Sequence, residues 1–211
     1  MKRELLQNNW FDLLDKLQAD FSIGETIFTE LAIAHTQASR HYHNLNHIEY
    51  LLKLADSVRE LAQSPSAIEL AAWFHDYVYD PRQQNNEVES ALYAKRTLTQ
   101  LKLDPCLVIS VEQIILSTQK HQPLSNYLDN KLFLDLDLAI LGEPQSQYWQ
   151  YARAIRQEYS WLSDRIYQEG RKQVLTNFLE RERIYYTDYF WQRREQQARA
   201  NLMAEIKLLS G

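Results

Sequence analysis

Six histidines are spread unevenly along the 211-residue chain. His41, His43 and His47 fall within one short stretch, His75 adjoins Asp76, and His121 stands in a polar segment. A spacing of four puts His43 and His47 on the same face of a helix. The pair His75-Asp76 closes an apolar run, AIELAAWFHD, where burial is expected. Neutral imidazole and carboxylate together are ligands for Zn²⁺, Mn²⁺ or Fe²⁺. Another carboxylate comes from LFLDLDLAIL, which carries Asp135 and Asp137. Asp137 has Phe133, Leu134, Ile140 and Leu141 three and four places away, whereas Asp135 has Lys131 at i−4. Asp137 is therefore expected to point inward, and a buried carboxylate without a partner is costly. A cation would offset that cost; a core hydrogen bond to an amide or an arginine is the other reading.

These residues have to be positioned by helices. Leu5, Leu6, Trp10, Leu13, Leu14 and Leu17 form a stripe of helical period, and residues 44–62 repeat it with Ile48, Leu51, Leu52, Ala55, Val58 and Leu61. Gly24 is expected to break the chain before a helix over 25–36. Ser66 can cap a helix through Trp73, and 78–86 reads as a polar loop. Helices follow over 86–102 and 105–119, the second opening on Asp104-Pro105, a cap and first-turn pair. After a loop at 120–129, the segment KLFLDLDLAILG is expected to end at Gly142 as a C′ glycine. Helices over 145–160 and 171–183, separated from Ser163 by Gly170, precede a last helix capped by Thr187 or Asp188.

Composition narrows the class. Four glycines stand where average usage would give about fifteen, too few for the turns of a sandwich or barrel. Neither G-x-G-x-x-G nor G-x-x-x-x-G-K-[ST] occurs, so no glycine loop can cradle a phosphate. The net charge of −5 and the lack of like-charge runs disfavour a nucleic-acid or membrane surface. The single cysteine, Cys106, excludes an internal disulfide framework. The first residues lack the apolar core of a signal peptide, and no stretch is long enough to span a membrane. The expectation is a cytoplasmic, all-α protein forming one domain over 1–211.

His47, His75-Asp76 and Asp137 match the H…HD…D pattern of the HD superfamily of metal-dependent phosphohydrolases. Tyr42-His43-Asn44-x-x-His47 resembles the Y-H-N-x-x-H signature of the cyclic-nucleotide phosphodiesterases in that superfamily. With WFHDYVYDP, NNEVESA, LDLDLAILG and YQEGR, the chain is similar to a bacterial group of predicted HD phosphohydrolases. The resemblance implies a helical HD-type domain with its core at about 40–142 and flanking helices at 1–38 and 145–210. It makes His47, His75, Asp76 and Asp137 ligands of a divalent metal (Mn, Mg, Co, Zn or Fe) and aligns His43 with the histidine that protonates the leaving oxygen. The implied reaction is attack of a metal-bound water on a small, nucleotide-like phosphate ester.

The chain also departs from the phosphodiesterases, which carry a further histidine shortly after HD where this sequence reads YVYDP. His121 is the other candidate for a second ion; its alternative is a solvated loop histidine. Glu87 is a candidate base or an ordinary glutamate at a helix start. Arg40, Lys120 and Arg156 are candidate phosphate contacts or surface ion pairs. His35 and His41 read as ordinary helix or surface residues. Two other functions fit the pattern: a di-iron oxygenase of HD fold, and a metal-containing nucleotide-binding module without turnover.

Overall fold

The computed structural model describes residues 2–210. Among these the secondary structure is helical, with no strand. The chain divides into two compact units, residues 1–134 and 135–211. The first contains α1 (Lys2–Lys16), α2 (Phe21–His35), α3 (Leu45–Ser57), α4 (Pro65–Phe74), α5 (Asn86–Gln100) and α6 (Pro105–Thr118). Helix α7 (Leu128–Asp137) runs unbroken through the division. The second unit holds α8 (Gln145–Glu158), α9 (Asp164–Leu179) and α10 (Asp188–Leu209). No described helix is long and apolar enough to cross a membrane.

Helix α4 organises the first unit. Ala67, Ile68, Leu70, Ala71, Ala72, Trp73 and Phe74 are all buried, so it is apolar on all sides but that of Glu69, which pairs with Arg59, and it packs against α3, α5 and α6. Trp73 meets the rings of Trp10 and Phe28 edge-on at 5.5 and 6.1 Å, and Phe74 meets Trp10 at 6.0 Å. Burying each of these large side chains is worth roughly 1.5–3 kcal/mol. Helix α7 is held to the same unit by its first turn. The two oxygens of Asp129 accept from Gln63 N and Ser64 N, each at 2.7 Å, and the Asn130 side chain joins Leu124 N to Gln113 O.

Asp104 accepts from Cys106 N and Leu107 N with Pro105 in the first turn, as its sequence position predicts. Thr187 likewise caps α10. The glycines behave differently from expectation. Gly24 lies inside α2, which starts earlier because Asp20 caps it. A Cβ at Gly24 would come within 2.1 Å of Leu14, so the glycine permits close approach of α1 instead of breaking the chain. Gly142 has no left-handed φ. A Cβ there would meet the Arg194 backbone oxygen at 2.9 Å, which makes it a packing glycine against α10. Gly170 interrupts nothing: α9 runs through it from Asp164.

In the second unit, α10 packs against α9 and the 3₁₀ segment Leu138–Gly142. Two buried carboxylates hold the chain that leads into α10. Glu195 accepts from Ile184 N and Tyr185 N. Asp135, fully buried, accepts from Tyr186 N, Thr187 N and Thr187 Oγ1 at 2.6–2.7 Å. The sequence pattern assigned the inward direction to Asp137 and not Asp135; instead Asp135 is the more deeply buried, because amides distant in sequence receive it.

Asp135→Ala would leave two half-buried amides without an acceptor, and the expected loss of stability is about 2–4 kcal/mol. Urea unfolding followed by circular dichroism measures it; a loss under about 0.5 kcal/mol would contradict this role.

Candidate metal centre

Two helix ends meet at this site. At the start of α3, Asn44 is the N-cap: its Oδ1 accepts from Asn46 N at 2.8 Å and its Nδ2 donates to His41 O at 2.9 Å. That cap fixes the first turn of α3 and with it His47, which is 3% exposed. At the end of α4, His75 is the C-cap residue and is 2% exposed. A helix buried all round delivers its terminal residues into the interior, so His75 is buried by the packing of α4 itself.

His47 Nε2 and His75 Nε2 lie 3.2 Å apart. One oxygen of Asp76 lies 2.9 Å from His75 Nε2, 3.7 Å from His47 Nε2 and 4.0 Å from His43 Nε2. Three imidazole nitrogens thus face one carboxylate oxygen. Asp137 ends α7, whose Phe133 ring lies 5.5 Å from that of His75. One ligand atom from each of His47, His75 and Asp137 lies within 4.8 Å of the others, a group that could hold a metal ion.

The donor set suits a cation. The second ring nitrogen of His75, Nδ1, is 3.3 Å from Ala72 O, a carbonyl that can only accept. Nδ1 therefore carries the proton, and in the neutral ring Nε2 presents a lone pair. A lone pair facing a carboxylate oxygen at 2.9 Å is repulsive unless a proton or a metal ion lies there. Two ligands about 2.1 Å from one ion, at 90–109°, are roughly 3.0–3.4 Å apart, the range that contains the His47–His75 separation. Burial alone would raise the Asp76 carboxyl; with a proton in that contact, the charges of His75 and His43 and the hydrogen bond from His75 outweigh it and hold Asp76 well below the usual carboxylate range.

His43 is half-buried at the edge of the group. The Tyr79 ring lies against it at 4.2 Å and 32°, and Tyr42 meets it edge-on at 5.0 Å. Glu87 is half-buried in the first turn of α5. Among the described residues, no hydrogen bond or ion pair joins it to the histidines. His121 follows α6 with φ of 45°, its N–H donating to Thr118 O at 3.2 Å, and it is not one of the three clustered ligands. Lys120 is exposed. Arg156, in the second unit, donates to Tyr159 O, Leu162 O and Asp164.

Arg40 is buried and donates to backbone carbonyls beside the histidine cluster. His35 is buried behind it, while His41 is exposed. The sequence pattern passed over Asn44 as a cap, although its type and its place before the α3 stripe carry that signal. Nothing local in the sequence marks Tyr79 or His35.

No family model, curated protein or solved structure matches the chain.

Titration of the metal-free chain with Mn²⁺ or Zn²⁺ in a calorimeter should show binding. His75→Ala and Asp137→Ala should each weaken it by more than about 100-fold, beyond the range for groups that only support a ligand. Unchanged affinity in both variants would remove the site.

Proposed function

We propose that this chain is a metal-dependent phosphohydrolase of the HD superfamily, acting on a small, nucleotide-like phosphate ester. The observation that carries the reading is the convergence of His43, His47 and His75 on one oxygen of Asp76. His47, His75, Asp76 and Asp137 would hold the metal. When bound, a divalent ion acidifies a water and offsets the charge of a phosphoryl group.

The rest is work for the chain's own side chains. His47 and His75 present buried nitrogens whose direction is set by the α3 cap and by Ala72 O. His43 is more open than either, and Tyr79 lies against its ring. In this reading it gives a proton, from Nε2, to the oxygen that leaves. Positioned proton donors of this kind contribute roughly 10²–10⁴-fold. The chain lacks a glycine phosphate loop, so recognition of the ester falls to the ion and to polar side chains.

The test uses p-nitrophenyl phosphate, bis-p-nitrophenyl phosphate and a panel of nucleotides. Hydrolysis should require Mn²⁺, Co²⁺ or Mg²⁺, stop with chelator, and be lost in His75→Ala. His43→Ala should slow an alkyl phosphate about 10²–10⁴-fold yet affect p-nitrophenyl esters far less, because p-nitrophenolate leaves without a proton. Turnover that survives His75→Ala overturns the reading. So would two irons per chain with oxygen consumption, or ligand-raised melting without hydrolysis.

A further inference from the structure

The sequence presents Arg40 as a possible phosphate contact, yet it is only 5% exposed. Its guanidinium points into the protein. Nη1 donates to Asp76 O at 2.5 Å, and Nη2 donates to Tyr77 O at 2.7 Å. Nη1 is also 3.3 Å from His43 O. These carbonyls come from two different segments: the turn before α3, which carries His43, and the turn after α4, which carries Asp76. One planar cation therefore spans the two halves of the candidate metal centre. Carbonyls beyond the end of α4 are partly negative, so a cation is favoured there.

A second residue completes the arrangement. His35 Nδ1 lies 3.2 Å from Arg40 Nη1 and 3.4 Å from His43 O, and the ring is 1% exposed. Burial and the Arg40 charge lower His35 to about 3, so the ring stays neutral beside the guanidinium. A protonated ring in that place would repel it.

We infer that Arg40, backed by His35, is a positioning residue that fixes the spacing between the His43 turn and the His75-Asp76 turn. This rests on the metal-centre reading above. The requirement is for geometry as well as charge. Three carbonyls are gathered by two nitrogens held in one plane, Nη1 reaching His43 O and Asp76 O while Nη2 reaches Tyr77 O, which lysine, a point charge on a flexible stem, cannot reproduce.

Arg40→Lys and Arg40→Ala test the inference, read by Mn²⁺ affinity of the metal-free chain, melting temperature in chelator, and the kcat and KM of ester hydrolysis. Arg40→Lys should melt close to the parent chain, yet bind Mn²⁺ about 10–100-fold more weakly and lose kcat with little change in KM. Millimolar guanidinium should restore part of the affinity of Arg40→Ala. A purely structural role would lower the melting temperature and leave affinity unchanged. Arg40→Lys binding Mn²⁺ as tightly as the parent overturns the inference and leaves the metal centre standing. If Arg40→Lys does not fold, Arg40 is a folding residue and the inference is likewise lost. A parent chain that binds no Mn²⁺ and hydrolyses no ester removes the metal-centre reading and this inference with it.

Discussion

A helix that is apolar on every side has to be buried on every side, and whatever stands at its end is buried with it. Helix α4 comes close to this, with only Ser66 and Glu69 polar, and His75 and Asp76 follow its last residue. The core that forms around Trp73 and Phe74 thus drags two polar side chains out of water. Buried polar groups must find partners or cost several kcal/mol. The surroundings of α4 are arranged to answer that demand. Ala72 O receives one nitrogen of His75, Arg40 receives the carbonyls of Asp76 and Tyr77, and the other nitrogen of His75 is left to face Asp76 and His47.

Elsewhere the same constraint is met by hydrogen bonds alone. Asp129 takes the amides of Gln63 and Ser64, and Glu195 takes those of Ile184 and Tyr185. In each case a carboxylate captures the free N–H groups of a turn that belongs to no helix ladder. Ionised carboxylates are strong acceptors for backbone amides, so a few such contacts hold connections that contain little glycine or proline to shape them. This explains how a chain with four glycines still turns often enough to connect the helices within each unit. The turns are held from outside by side chains, and only a few rely on a permissive backbone.

The helical class was legible in the sequence because 3.6-residue stripes and capping residues are local signals. Asp104-Pro105 and Thr187 sit where their chemistry requires. The burial of His75 was equally local, since the run before it is apolar but for Glu69. What escaped the sequence were contacts made across long separations. A glycine that admits a neighbouring helix has the same letter as one that ends a helix, and Gly24 and Gly142 are of the first kind. Arg40 reads as a surface cation until the carbonyls of Asp76 and Tyr77 are placed beside it. The partners of Asp135 lie about fifty residues downstream, so its own helical neighbours gave no hint of them.

Asp135 and Asp137 show how two identical side chains, one turn of the backbone apart in neither direction, come to different ends. At two residues' spacing on a helix they project about 160° apart. Leu132, Phe133, Leu134 and Leu136 are all buried, so α7 offers little water to either carboxylate. Asp135 meets two N–H groups and a hydroxyl, all donors, although burial still pushes its carboxyl up to about 7. Asp137 comes instead to imidazole nitrogens. In the neutral tautomer that Ala72 O imposes, His75 turns an acceptor toward the group. Acceptors gathered around acceptors are stable only about a positive charge, whether a proton or a metal ion. The difference between a structural aspartate and a candidate ligand on this helix is thus set by which kind of group meets it, donor or acceptor.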